Sequence, residues 1–156
     1  MHFDFSPTVT TLSSDDGGVV TLGPSPATLA ATCFRNGRPT AVELERAIDI
    51  VEDALMAAKP PPAPGDGHLT TSEPILRRLP GLEAVGATLS RDAVETLFQQ
   101  LASFALGMPD PHGAKVAERE TAASLLILRE CMHHLGFDSV RIVPAPSRSQ
   151  AARAER

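Results

Sequence analysis

Residues 117–135 read AERETAASLLILRECMHHL and form the most apolar stretch of the chain. At 3.6 residues per turn, its apolar residues fall on nearly all sides of a helix, a pattern typical of a helix at the centre of a domain or at an interface. Gly136 follows where a left-handed cap residue belongs, and Phe137 is placed to pack back on Met132 as in a Schellman cap. We therefore predict a central or interfacial helix that ends at Gly136.

Capping signals predict three helices upstream of this segment. Thr40 and Glu43 have the spacing of a capping box in front of a helical apolar stripe. Ser90 is placed to cap a further helix, which Gly107 ends. A short Ala-rich helix is predicted over 27–34, after a serine cap and a proline at its first position.

Stretches rich in β-branched residues predict strands at both ends of the chain. Residues 8–12 and 19–22 flank a turn cluster with two glycines and read as a β-hairpin. Residues 139–143 alternate like a strand, and we expect this strand to join the hairpin because two strands alone are marginal. The predicted fold class is α+β and helix-dominated: a small antiparallel sheet, made of the N-terminal hairpin and the C-terminal strand, packed against about four helices.

Length and proline content predict the domain organisation. A chain of 156 residues with 42% hydrophobic residues should form one domain with a core of its own. We predict a single domain over 1–143, with an extended Pro-rich loop at 59–67 inside it. The Ala-, Ser- and Arg-rich residues 144–156 are expected to be a disordered tail.

Composition disfavours several classes of function and partner. The net charge is −5 and no basic block is present, so we expect no nucleic-acid and no membrane partner. The chain has six Phe and neither Trp nor Tyr, which leaves few rings for stacking on a ligand. Regulation of transcription through DNA ranks last among the functions considered.

The N-terminal residues and the cysteines predict a cytoplasmic protein. No basic and apolar leader is apparent at the N-terminus, and no apolar stretch approaches the roughly 20 residues of a membrane helix. Cys33 and Cys131 match no zinc-binding spacing and are expected to be reduced, buried thiols, with a disulfide possible only if folding brings them together.

The first candidate site is the polar patch Arg129-Glu130-x-x-His133-His134 on the last helix. Glu130 lies three residues before His133 and four before His134, so its carboxylate can contact either imidazole. Such a pair could act as a general base with the group that orients it, or supply weak metal ligands together with His112. The alternative is the polar face of a half-buried helix, where a cationic histidine near the C-terminus is favoured by the helix dipole.

A second candidate is a row of carboxylates on the helix that follows Thr40, namely Glu45, Asp49, Glu52 and Asp53. Paired acids can hold a hard cation or perform acid–base chemistry. The alternative is a solvated helix face that contributes to the acidic charge.

A third candidate is the turn Arg35-Asn36-Gly37-Arg38 between two predicted helices. Arg35 and Arg38 could bind an anion beside the capped helix start, and Arg129 is the further candidate for ligand binding. The alternative is a turn with solvated arginines.

The sequence favours a small non-catalytic interaction, assembly or regulatory protein over an enzyme. We expect it to act as a homodimer, or with another protein partner, through the apolar last helix, and to need no cofactor and no metal. The alternative is a small enzyme or a ligand- or metal-binding protein that uses Glu130, His133 and His134.

Overall fold

A computed structural model describes residues 1–146, and its largest element is a six-stranded mixed sheet. The strands are β1 (His2–Phe5), β2 (Val9–Ser13), β3 (Val19–Pro24), β4 (His68–Thr71), β5 (Thr88–Ser90) and β6 (Ser139–Ile142). They lie in the order β3-β2-β1-β4-β6-β5. β4 runs parallel to both β1 and β6, whereas the remaining neighbours are antiparallel.

Within residues 1–146, five α-helices and one short 3-10 helix accompany the sheet. They are α1 (Pro26–Cys33), α2 (Ala41–Ala58), the 3-10 helix (Pro74–Arg78), α3 (Arg91–Ala105), α4 (Pro111–Lys115) and α5 (Arg119–Leu135). The predicted caps form: Thr40 and Glu43 make both hydrogen bonds of a capping box, and Ser90 accepts from the third residue after it. Gly136 is left-handed, with φ of 80°, and Phe137 donates its N–H to the Met132 carbonyl as in a Schellman cap.

The predicted fold class is wrong in its sheet. The hairpin and the C-terminal strand exist, but β6 lies between β4 and β5 instead of joining the hairpin. β1, β4 and β5 were not predicted, because three or four residues identify a strand only where β-branched residues dominate, as in β6. The sheet therefore has six strands of mixed direction, not a small antiparallel set.

One face of the sheet is buried under the helices. Alternate residues along the strands point to this face and are closed to solvent, among them Phe3, Leu69 and Val140. Their neighbours Asp4 and Arg141 point to the opposite face and are partly or fully exposed. The arrangement is typical of two layers, helices over a half-solvated sheet.

The long helix α5 lies at the centre of the helical layer. It packs against α1, α2 and α3, and 12 of its 17 residues are buried within the chain itself. Of the two predicted positions, central or interfacial, the helix takes the central one. Its apolar surface is covered by the protein's own helices, which leaves no broad apolar face of α5 for a partner.

Both edges of the sheet are irregular. β5 has only three residues, and β3 ends in Pro24 after Gly23, whose φ is 152°. The pairing of β3 with β2 shifts register between Thr10 and Thr11, which marks a bulge.

Cys33 and Cys131 are both free and buried, as expected for reduced core thiols. Burial, reinforced by the charge of Glu130, strongly raises the pKa of the Cys131 thiol. None of the helices over 1–146 combines the length and apolar character needed to cross a bilayer. Most of the predicted tail, from residue 147 onward, lies outside the described residues.

Candidate functional site

A cavity of about 340 Å³, here called the β1–β4 cavity, opens where the parallel strands β1 and β4 end. Segments that follow β1 and β4, together with the first residues of α1 and α5, form its wall. The lining residues are Phe5, Ser6, Ser25, Pro26, Ala27, Glu73, Pro74, Ile75, Arg78 and Glu120. In sheets with parallel strands, ligands bind outside the carboxyl ends of those strands, so this is the expected position for a site.

Glu73 is the carboxyl group best placed for chemistry in the β1–β4 cavity. It directly precedes the 3-10 helix, and its Oε1 accepts the backbone N–H of Phe5 at 2.7 Å. Burial, and to a lesser extent the charge of Asp4, raises the pKa of the Glu73 carboxyl despite that hydrogen bond. A carboxyl with a raised pKa holds a proton more readily than an ordinary one, which suits it to proton transfer.

Arg78 supplies positive charge to the same cavity. Its Nη1 lies 3.5 Å from Oε2 of Glu118, and both side chains are more than half exposed. An exposed ion pair at this distance is weak, so the guanidinium can turn to an anion in the cavity. Glu73 and Arg78 thus offer a proton acceptor and a cationic donor in one opening.

Sequence reasoning missed Glu73 and Arg78. Three separated segments converge to form the cavity, and no motif spans them. Ser25 was recognised only as a helix cap, which it is: its Oγ accepts from Thr28 and donates to the Pro7 carbonyl at 2.9 Å. The only local signal was the cluster of proline and charged residues just after β4.

The predicted α5 patch is a network of charges, with Glu130 at its centre. Glu130 is only 1% exposed, and its Oε1 lies 2.5 Å from Nη1 of Arg129. Arg129 also binds Glu95 of α3, with its Nε 2.7 Å from Oε2, and stacks over the Phe98 ring at 4.5 Å. Burial acts to lower the pKa of Arg129, but Glu95 and Glu130 outweigh it and the pKa is raised. Arg129 is therefore engaged within the protein rather than free for a ligand.

The two neighbouring histidines of the patch face different surroundings. His133 is exposed and lines a second cavity of about 250 Å³ with Glu95 and Arg129. The Nε2 atom of His134 lies 3.2 Å from Oε1 of Glu52 and 3.3 Å from Oε2 of Glu130. Whether Glu130, His133 and His134 are catalytic stays a prediction.

The other candidates stay apart from this network. His112 is exposed on α4, which packs against α3, and is not part of the cluster around Glu130. The Arg38 guanidinium lies over the Phe104 ring at 5.2 Å, and the backbone N–H of Arg35 donates to Glu43. An anion site at Arg35 and Arg38 also stays a prediction.

The carboxylate row on α2 separates in the fold. Glu45, Asp49 and Asp53 are exposed, as expected of a solvated helix face. Glu52 instead turns toward α5 and joins Glu130 and His134 in a group whose potential ligand atoms all lie within 4.8 Å of one another.

No family model and no curated protein matches the chain. Its structure is similar to the Aquifex aeolicus Ppx/GppA phosphatase in its type II variant, with a TM-score of 0.72, 17% identity, and coverage of 99% of this chain and 56% of that chain. A further Aquifex aeolicus member of the Ppx/GppA family gives a TM-score of 0.70 at 18% identity, covering 99% and 55%. An exopolyphosphatase-like protein gives 0.59 at 10% identity, covering 92% and 53%.

These findings correct the predicted function. The prediction of a non-catalytic interaction protein acting as a homodimer through α5 is wrong, because the chain buries that helix itself and structures similar to its fold include Ppx/GppA phosphatases. The enzyme alternative is better supported. At 10–18% identity the likeness establishes the fold alone. The chain has the fold of Ppx/GppA phosphatase structures and spans about half of their length.

Proposed function

We propose that this protein is a phosphatase-like hydrolase domain that binds a phosphate ester or phosphoanhydride in the β1–β4 cavity. The observation that carries the proposal is the pairing of Glu73, a partly buried carboxyl with a raised pKa, with the weakly engaged Arg78 at the ends of two parallel strands. The fold shared with phosphatase structures supports the same chemistry.

The two charged residues have distinct roles in this proposal. Arg78 donates to the phosphoryl oxygens and offsets their charge, since guanidinium groups bind phosphate through paired N–H donors. Glu73 accepts a proton from a water molecule, whose oxygen then bonds to phosphorus. The bond from phosphorus to the leaving oxygen breaks, and that oxygen keeps the electron pair.

We place the chemistry at the β1–β4 cavity rather than on α5 because the charged side chains of α5 already have partners. Arg129 already binds two carboxylates, and Glu130 is enclosed between Arg129 and His134. Both groups are already held by partners within the protein, whereas Glu73 and the weakly paired Arg78 line an open volume.

A cytoplasmic location and the absence of nucleic-acid and membrane partners also remain proposals. The net charge of −5 and two free, buried cysteines support them.

Binding and turnover of a defined probe test the proposed function. We expect the full chain to bind inorganic tripolyphosphate in calorimetry and to release orthophosphate from polyphosphate in the presence of Mg²⁺. Glu73→Gln should lower the rate at least about 100-fold, since general-base catalysis contributes roughly 10²–10⁴-fold, and should leave binding nearly unchanged. Arg78→Gln should weaken binding.

Matched controls come from exposed residues of α2 outside the cavity. Glu45→Gln and Arg46→Gln remove the same charges and should leave binding and turnover unchanged. The proposal is wrong if the native chain neither binds tripolyphosphate nor releases phosphate, or if the cavity variants behave like the controls.

A further inference from the structure

A second cluster of side chains lies far from the β1–β4 cavity, near the C-terminal end of α5. Glu130 and His134 are one turn apart on that helix, and Glu52 reaches them from α2. On α5, Glu120 lines the cavity and His134 lies 14 residues further on, about 21 Å at 1.5 Å per residue. The two places are therefore separate.

Two of the three distances between the polar atoms fit a bound ion, and all three atoms lie within 4.8 Å of one another. Nε2 of His134 lies 3.2 Å from Glu52 and 3.3 Å from Glu130. The 3.2 Å contact is within hydrogen-bond range, but one N–H cannot point at both carboxylate oxygens. A tetrahedral Zn²⁺ site with bonds of about 2.0–2.1 Å spaces its ligand atoms about 3.3 Å apart.

The charge around the cluster is unbalanced without a further cation. Glu52, Glu95 and Glu130 form one connected network in which Arg129 is the cationic member, so the sum is −2 while His134 is neutral. A divalent ion between Glu52, Glu130 and His134 would balance it. Glu130 shares Arg129 with Glu95, and a second cation would add to the positive charge that this buried carboxylate needs.

Neighbouring side chains orient the buried Glu130 carboxylate, and the other two side chains of the cluster are accessible to solvent. Arg129 holds Oε1 of Glu130, so that Oε2 faces His134, and Glu95 and the Phe98 ring fix Arg129 in turn. Outer groups of this kind are a regular part of metal sites. The side chains of His134 and Glu52 are 35% and 40% exposed, which lets an ion and a water molecule reach them.

We propose that Glu52, Glu130 and His134 bind a divalent transition metal of the Zn²⁺ class, with water as the fourth ligand. One imidazole and two carboxylates are a suitable ligand set for Zn²⁺, and an open fourth position is typical of sites that bind or activate a small molecule.

Titration of the chelator-treated, tag-free chain with Zn²⁺ tests this site, with Co²⁺ as a spectroscopic substitute. We expect one Zn²⁺ per chain and the visible absorption of tetrahedral Co²⁺. His134→Gln and Glu52→Gln should each weaken Zn²⁺ binding at least about 10-fold and abolish the Co²⁺ spectrum. Glu130 is left unchanged because its buried side chain is needed by Arg129.

Neighbouring exposed residues provide the controls. His133→Gln and Asp53→Asn alter the same helices one position away and should bind Zn²⁺ like the native chain. The proposal is overturned if the native chain binds no stoichiometric Zn²⁺, if His134→Gln and Glu52→Gln bind normally, or if His133→Gln loses as much affinity as His134→Gln. The readout is metal binding, so failure here leaves the proposed hydrolase function standing.

Discussion

Two opposing interactions set the pKa of the Glu73 carboxyl. Burial disfavours its charged form, while the N–H of Phe5 supports it, and the net result is a raised pKa. When burial disfavours the charged form of a carboxyl, ionisation at neutral pH lowers the stability of the folded state. Functional residues often lower stability in this way.

Replacing Glu73 with glutamine tests this balance through pH. Because the pKa of Glu73 is raised in the folded state, the protonated carboxyl contributes its full stabilisation of the fold below the unfolded pKa of about 4.3. This contribution to the free energy of unfolding is lost as the pH rises through the folded-state pKa. Glu73→Gln keeps an acceptor for Phe5, so we expect it to raise the free energy of unfolding at pH 7 by on the order of 0.5 kcal/mol. Near pH 3.5 the two proteins should be equally stable.

Urea unfolding at both pH values measures the difference. A variant that is less stable than the native protein at pH 7 would contradict the raised pKa.

At the scale of elements, α4 depends on close contact with α3. A Cβ atom added to Gly113 would collide with the backbone carbonyl of Gln100 and come within 2.7 Å of the Phe104 Cβ. Only glycine permits the two helices to approach this closely.

Substitution of this glycine should therefore separate the two helices. We expect Gly113→Ala to lower the free energy of unfolding by about 1–3 kcal/mol, the usual range for overpacking. Gly37→Ala is the matched control, because an added Cβ there meets nothing within 4 Å. Equal stabilities of the two variants in thermal denaturation would show that α4 is not packed as described.

The elements predicted well from sequence are those with long periodic patterns and local caps. α2, α3 and α5 have 15–18 residues and a capping or stop residue at their ends, so neighbouring residues alone define them. β4 is HLTT, four residues whose partners in β1 and β6 are more than 60 residues away, and no local pattern reveals it. The cavity was missed for the same reason, because Glu73 meets Phe5 only after β1 and β4 pair.

At the scale of the whole molecule, β6 joins the C-terminal segment to the sheet between β4 and the edge strand β5. Val140 is fully buried and pairs with Leu69 of β4 and Leu89 of β5. A single domain over 1–143 stays a prediction, and this strand offers a way to test it.

Val140→Ala should destabilise the entire protein by about 2 kcal/mol, the order of loss for deleted methyl groups in a core. Far-UV circular dichroism and hydrogen exchange of β2 should report one shared transition. Arg141→Ala, on the exposed face of the same strand, should have little effect. Two separate transitions would instead indicate independent folding units.

The irregular edges of the sheet have a consequence for behaviour at high concentration. An unpaired edge strand can recruit another chain and start aggregation, and short strands, prolines and bulges oppose this. β5 offers only three residues, and on the other border the bulge and Pro24 interrupt the row of donors and acceptors on β3. The sheet is thus protected at both borders against the strand addition that seeds fibrils.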